Sequence, residues 1–251
     1  MIENKLFIIP HPKPNPALRL FCFPYAGGNA STYLNWSHQL PDEIELIAVQ
    51  PPGRATRIIE QAHNTMDHLV SEILLHANEI TATPYAFFGH SLGSRVAYEL
   101  ASRLEQMNLP TPHFIIASGS KAPHLPFTET YSYNLPDLQF KEKLKSLNGT
   151  PKEVLENDEL MNFVLPLLRA DFAIAECYQA TPKKLSCPIH VISGTEDVKI
   201  TKDQLTAWQT LTHNEVNINY LSGDHFFVEK NKTAVISHLN QILMNMTNEI
   251  A

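Results

Sequence analysis

Short apolar runs recur along the chain, each separated from the next by a stretch whose apolar residues return every three or four positions. The runs are Leu18–Phe23, Leu46–Val49, Tyr85–Phe88, Phe114–Ala117, Ile189–Ser193 and Val216–Leu221. Their lengths suit strands, and their continuous apolar character, without polar alternation, marks strands covered on both faces. Between them, Met66–Ile80 and Leu92–Met107 carry helical spacing. The alternation predicts an α/β fold with an open, doubly wound, mostly parallel sheet. Such sheets bind ligands beyond the carboxyl ends of their strands.

One stretch, from about residue 121 to residue 184, breaks the alternation and holds only helical patterns. The segment 135–147 reads as a helix with apolar positions at Leu138, Phe140, Leu144 and Leu147, and Gly149 stands where a C-terminal cap is expected. The segment 158–178 is longer and more apolar, and Pro166 within it is expected to kink or divide it. Roughly 60 helical residues between two strands predict a lid over a site. No repeat, low-complexity tract or linker divides the chain, so residues 1–251 are expected to form one domain carrying that insertion.

Composition then excludes several classes of function. With 43% hydrophobic and 18% charged residues, the chain reads as an ordinary globular protein. A formal net charge of -7 argues against a nucleic-acid partner, which would require a basic face. The 12 histidines are scattered without metal-ligand spacing, so no metal is expected. Cys22, Cys177 and Cys187 are odd in number and far apart, which predicts no disulfide framework. Residues 1–16 are polar and proline-rich, with no leader pattern, and no apolar run approaches the roughly 20 residues of a membrane span. A soluble, cytoplasmic monomer is the expectation.

The nine glycines show where chemistry is to be sought. Seven fall in five segments at or just beyond predicted strand ends: FPYAGG, VQPPGR, GHSLG, ISGTED and SGDHFF. Gly89-His90-Ser91-Leu92-Gly93, after a strand and before a helix, is the G-x-S-x-G nucleophile elbow in its required context. It presents Ser91 as a nucleophile, with its hydroxyl at a helix N-terminus. A serine needs a base and the base an orienter, and in this fold they follow in the order serine, acid, histidine. His225 after the final strand is the expected base, and Asp197 in Gly194-Thr195-Glu196-Asp197 the preferred acid. Glu196 and Asp224 are the neighbouring alternatives. His90 is expected to pack against the site rather than act as base. The loop Pro24-Tyr25-Ala26-Gly27-Gly28 supplies half of an oxyanion hole, for which the amides of Ala26 and Leu92 are the expected donors.

These segments together resemble the type II thioesterases that accompany non-ribosomal peptide and polyketide synthases. The resemblance runs from Leu18 to about Leu243 and rests on FCFPYAGGNASTYLNW, VQPPGRATR, GHSLG followed by AYELA, GTPKEVLENDEL, LPLLRADFAIAECY, ISGTED and GDHFFV. LPLLRADF is the most specific of these, because general hydrolases share the elbow but not this stretch. The resemblance implies hydrolysis of acyl thioesters on the phosphopantetheine arm of acyl or peptidyl carrier protein domains, with Ser91, Asp197 and His225 as the triad. It implies no cofactor of the enzyme's own, since the phosphopantetheine belongs to the substrate. The chain departs from the family at two places. Val198 follows the acid where a proline is common, and Ser94-Arg95 replaces a small or apolar pair, changing what lies below the nucleophile.

Arg54 and Arg57 in PPGRATR are expected to contact an acidic carrier or the phosphate of the arm, and Arg169 and Asp171 to pair with each other. Two other hydrolase readings share the same triad: a medium-chain fatty-acyl thioesterase, and an esterase or lipase of free esters. A binding module that merely shares the fold would usually lack a triad member.

Overall fold

The structure, a computed structural model, describes residues 5–250, with side chains in the last helix as far as Asn245. Seven strands form one sheet in the order β1-β3-β2-β4-β5-β6-β7. They are β1 (Phe7–Ile8), β2 (Leu18–Phe23), β3 (Ile44–Val49), β4 (Tyr85–His90), β5 (Ile115–Ser118), β6 (Ile189–Gly194) and β7 (Asn217–Leu221). β2 to β7 run parallel, and only β1 is antiparallel, pairing Phe7 with Val49 and Ile8 with Ala48. The fold is therefore the predicted α/β one. β1 was not among the predicted strands, because two residues are too few to show a period.

Successive residues of a strand face opposite sides of the sheet. In β2, Leu18, Leu20 and Cys22 enter the core beneath Trp36 and the C-terminal helix Lys232–Ile250. Phe21 and Phe23 enter the other core, beneath the helices Met66–Leu74 and Leu92–Gln106. β4 divides in the same way, Ala86 and Phe88 against Tyr85 and Phe87. Burial on both faces is why the runs are continuous. It also pushes the Cys22 thiol far above its ordinary range, leaving it an inert core residue.

The helical pattern over 66–80 is two helices, Met66–Leu74 and Ala77–Thr81. Between them His76 leaves helical backbone, and its ring stands edge-on to Phe7 at 5.4 Å. Among the described residues no helix is long and apolar enough to cross a membrane.

Between β5 and β6 lie the helices Asp137–Leu147, Lys152–Leu155 and Asp158–Cys177, with a small core of Phe140, Leu144, Met161, Leu165 and Leu168. Pro166 does not divide Asp158–Cys177. It lies on the exposed face, and the carbonyl deprived of its N–H partner belongs to the equally exposed Asn162, where water can satisfy it. Gly149 is not the cap of Asp137–Leu147, because Asn148 takes the left-handed conformation (φ 55°). Gly149 instead admits Phe226: a Cβ there would stand 2.1 Å from the tip of that ring.

A buried ion pair fastens this insertion to the body. Asp171 accepts from Arg54 twice, Nη1 to Oδ2 and Nη2 to Oδ1, both at 2.8 Å, and from the amide of Gly27 at 2.7 Å. The two side chains are only 6% and 3% exposed. Arg54 also donates to the carbonyls of Gly28 at 3.0 Å and Pro52 at 3.3 Å.

The structure departs from three sequence expectations. Arg54 is enclosed, so it is not offered to a carrier. Arg57 is likewise buried, held by Glu60, Glu72 and the carbonyl of Gln50. Arg169 and Asp171 do not pair, since residues two apart on a helix point in different directions. Arg169 donates to Asp137 and the Tyr133 carbonyl and lies over the Phe140 ring.

Removing the Asp171 carboxylate would leave Arg54 charged and buried without its partner. Asp171→Ala is therefore expected to cost about 3–5 kcal/mol of stability, measured by urea unfolding. A loss below about 0.5 kcal/mol would show that the pair does not hold the insertion in place.

Candidate active site

The sharpest turn at the carboxyl edge of the sheet joins β4 to the helix Leu92–Gln106. Ser91 sits in it with φ 53° and ψ -112°, a conformation costly for any residue but glycine. The turn closes this tightly because its flanks lack side chains. A Cβ on Gly89 would stand 2.2 Å from the Gly93 carbonyl oxygen, and one on Gly93 would stand 2.1 Å from that of Phe23. The Ser91 amide donates to the Ser118 carbonyl at 2.8 Å, so β5 helps to hold the strained residue.

Three loops then bring three side chains into line. His225, in the turn after β7, has Nε2 3.1 Å from the Ser91 Oγ and Nδ1 2.7 Å from the Asp197 Oδ2. Asp197, just beyond β6, is 8% exposed, and its other oxygen accepts from the Lys199 amide at 3.2 Å. The neighbouring carboxylates are placed elsewhere. Glu196 is exposed, and Asp224 accepts from the Phe226 amide at 3.0 Å and from Lys230 at 2.5 Å. Of the three acids the sequence leaves open, Asp197 alone hydrogen-bonds to the His225 ring.

Two backbone amides close to Ser91 in the fold have no acceptor among the described residues. Leu92 opens its helix, so its N–H has no acceptor within that helix. In the loop after β2, the Gly27 amide is taken by Asp171 and the Gly28 amide by the Tyr25 carbonyl. Ala26 lines the same cavity as Ser91 and His225, and among the described residues its amide has no acceptor. The arrangement is that of a nucleophile with a base, an orienting carboxylate and two N–H donors.

How much of this rests on Asp171 and His90 does not show in the sequence. Asp171 reaches across from the insertion to tether Gly27, the residue after Ala26. His90 is completely buried, with Nδ1 2.9 Å from the Ser118 Oγ and Nε2 2.9 Å from the His225 carbonyl oxygen. A carbonyl only accepts, so Nε2 carries the proton and Nδ1 accepts from Ser118. His90 thus fixes the backbone of His225 while remaining neutral. Burial, reinforced by His225, holds it well below the usual imidazole range.

A cavity of about 170 Å³ opens beside Ser91, lined among others by Tyr25, Ala26, Leu147, Phe172, His225 and Phe226. A second, of about 340 Å³, adjoins it through Tyr25, Ala26, Leu147, Phe172 and Phe226 and runs along Gly27, Gly28 and Asn29. A larger cavity, about 550 Å³, lies between the loop of Gly53 to Asn64 and the helix Asp158–Cys177, beside Phe163 and Arg169, and Ser91, Asp197 and His225 are not among its lining residues.

The buried neutral histidine makes stability depend on pH. Below about pH 6.5 an unfolded imidazole takes up a proton that native His90 refuses, so the unfolded state binds more protons. Stability is therefore expected to be fully present above pH 6.5 and to fall as the pH drops towards 5. One such group contributes a slope of up to about 1.4 kcal/mol per pH unit. Urea unfolding at pH 7 and pH 5 measures this, and His90→Gln should flatten the slope. An unchanged slope would place the titration elsewhere.

A family model described as "Thioesterase domain" matches residues 18–243. The chain is 38% identical over 237 residues to the gramicidin S biosynthesis protein GrsT of Aneurinibacillus migulanus, covering 94% of this chain and 93% of that one. Among solved structures, ClbQ from the colibactin NRPS/PKS pathway is similar with a TM-score of 0.86 and 34% identity, over 92% of this chain and 98% of its own. RedJ, a thioesterase from the prodiginine pathway of Streptomyces coelicolor, has a TM-score of 0.83 and 34% identity over 90% of each chain. The match extends from β2 into the last helix and takes in every strand end that carries a side chain of the site, so this chain belongs to the thioesterase family of α/β-hydrolase fold.

Proposed function

We propose that the chain is a type II thioesterase, a serine hydrolase that frees acyl groups from the phosphopantetheine arm of synthase carrier domains. The observation that carries this reading is the hydrogen-bonded line from Ser91 through His225 to Asp197, at the mouth of a cavity walled by the insertion. Its similarity to GrsT, ClbQ and RedJ supports a synthase as the partner.

The chemistry follows from the geometry. Asp197 holds the His225 ring with its proton on Nδ1, leaving Nε2 free to accept. The Ser91 Oγ attacks the thioester carbonyl as His225 takes its proton, and the amides of Ala26 and Leu92 hold the resulting oxyanion. The carbon–sulfur bond breaks, the arm leaves as a thiol with the proton from His225, and an ester to Ser91 remains. Water, deprotonated by the same imidazole, then releases the acid and restores Ser91. These steps require only the chain's own groups and water. The adjoining cavity along Gly27-Gly28 suits a narrow arm with amide groups, and its opening lies between the body and the insertion, which acts as the lid.

Ser91→Ala and Asp197→Asn are each expected to lower kcat on the order of a thousandfold or more, with the fold intact by circular dichroism. Turnover of Asp197→Asn near wild type would move the acid elsewhere. Substrate class is tested by comparing kcat/KM for an acyl-carrier thioester with that for an oxygen ester of equal acyl length. The thioester is expected to be the better substrate, and equal or faster turnover of the oxygen ester would favour an esterase.

A further inference from the structure

One helical turn beyond Ser91, on the same side of the helix, stands Arg95. It lines the cavity of about 170 Å³ beside Ser91 and an adjoining one of about 140 Å³, and both are also bounded by Ser91, Phe127, Lys199 and His225. A guanidinium offers five N–H donors. Nη1 donates to the carbonyl of Ala175 in the long insertion helix, but Nε is enclosed and has no partner. Among the described residues no carboxylate pairs with Arg95. Its protonation falls only to about 10 under the effect of burial, so it is a cation at neutral pH.

The rest of the wall does not compensate this charge. Lys121, Lys143 and Lys199 line the two cavities with it, against only two carboxylates, Glu129 and Glu176. Both carboxylates are already engaged. Glu129 pairs with Lys143 at 3.0 Å, and Glu176 accepts from the Ser132 hydroxyl and the amides of Ser132 and Tyr133. Lys199 has no ion pair among the described residues, and burial together with Lys143 lowers its affinity for its proton. An alkyl chain placed here would leave the Arg95 guanidinium desolvated and unpaired, an unfavourable arrangement that a carboxylate would relieve. A purely structural arginine would direct its donors into the chain, as Arg54 and Arg57 do.

We propose that the acyl cavity receives a short acyl group ending in a carboxylate, which Arg95 binds while the thioester carbonyl lies at Ser91. One turn of helix, about 5.4 Å, separates the two residues along the axis, which suits an acyl chain of about three to five carbons. The departure Ser94-Arg95 in the elbow is then a determinant of specificity. The inference rests on the thioesterase reading and adds to it the class of acyl group.

Succinyl- and butyryl-pantetheine test it, because they have equal carbon number and an uncharged arm. After correction for spontaneous hydrolysis, kcat/KM is expected to be higher for succinyl. The succinyl-to-butyryl ratio is expected to fall by about tenfold or more in Arg95→Met and by less in Arg95→Lys, which keeps the charge. If Arg95→Met does not fold, the wild-type preference and the Arg95→Lys ratio decide. A wild type that prefers butyryl, or variants that slow both substrates equally, overturns the inference while leaving the thioesterase reading in place. A wild type that hydrolyses neither pantetheine thioester also overturns the inference, and the thioesterase reading is then decided separately by turnover of the acyl-carrier thioester.

Discussion

No methyl group fits between Gly93 and the carbonyl of Phe23, and the site depends on that contact. It lets the helix Leu92–Gln106 start directly against the end of β2, which forces Ser91 into its strained conformation. The same closeness sets the first turn of that helix, which includes the Leu92 amide, against the loop after β2. The positions of Ser91 and of the Leu92 amide are therefore set by backbone packing, whereas His225 and Asp197 come from more distant loops. In the proposed mechanism such a site is preorganised, its dipoles directed at the developing charge before any substrate arrives. The strain at Ser91 persists because neighbours on several sides oppose its relaxation, among them the Ser118 carbonyl that accepts its amide.

A second layer of buried polar contacts keeps the remaining parts in register. His90 connects Ser118 at the end of β5 to the backbone of His225, and Asp171 connects the insertion to Arg54 and Gly27. Both are buried, and both place a full or partial charge where water cannot substitute for the partner. The Asp171 contact has a further consequence. Because Asp171 belongs to the helix Asp158–Cys177 that walls the cavity and binds the Gly27 amide, the position of the insertion and that of the loop beside Ala26 are physically linked. Opening the insertion widely enough to break this pair would cost a desolvated ion its partner, so smaller motions around the pair are favoured.

The sheet was legible because its strands are buried on both faces, which leaves unbroken apolar runs in the sequence. That Ser91, Asp197 and His225 meet was legible for a related reason, since each follows a strand end marked by glycine. What the sequence did not show was pairing between distant segments. Arg54 and Asp171 lie 117 positions apart, and an arginine in a proline-rich loop reads as exposed until the helix that covers it is in place. Gly149 stands where a local cap fits, whereas its small size serves Phe226, which comes from beyond β7. Pro166 has the sequence signature of a break, but its cost is small on an exposed face. In the sequence Arg95 is only a departure from the family pattern, and its chemical meaning lies in the cavities it lines.

The central claim is that thioester cleavage proceeds through an ester on Ser91. Rapid mixing of the enzyme with an acyl-loaded carrier protein, acid quench within the first turnover and mass measurement of the proteolytic peptide containing Ser91 address it directly. The account predicts a mass increase equal to the acyl group on that peptide, transient in the wild type and absent from Ser91→Ala. Turnover with no adduct on Ser91 at any time, or an adduct on another residue that persists in Ser91→Ala, would contradict it.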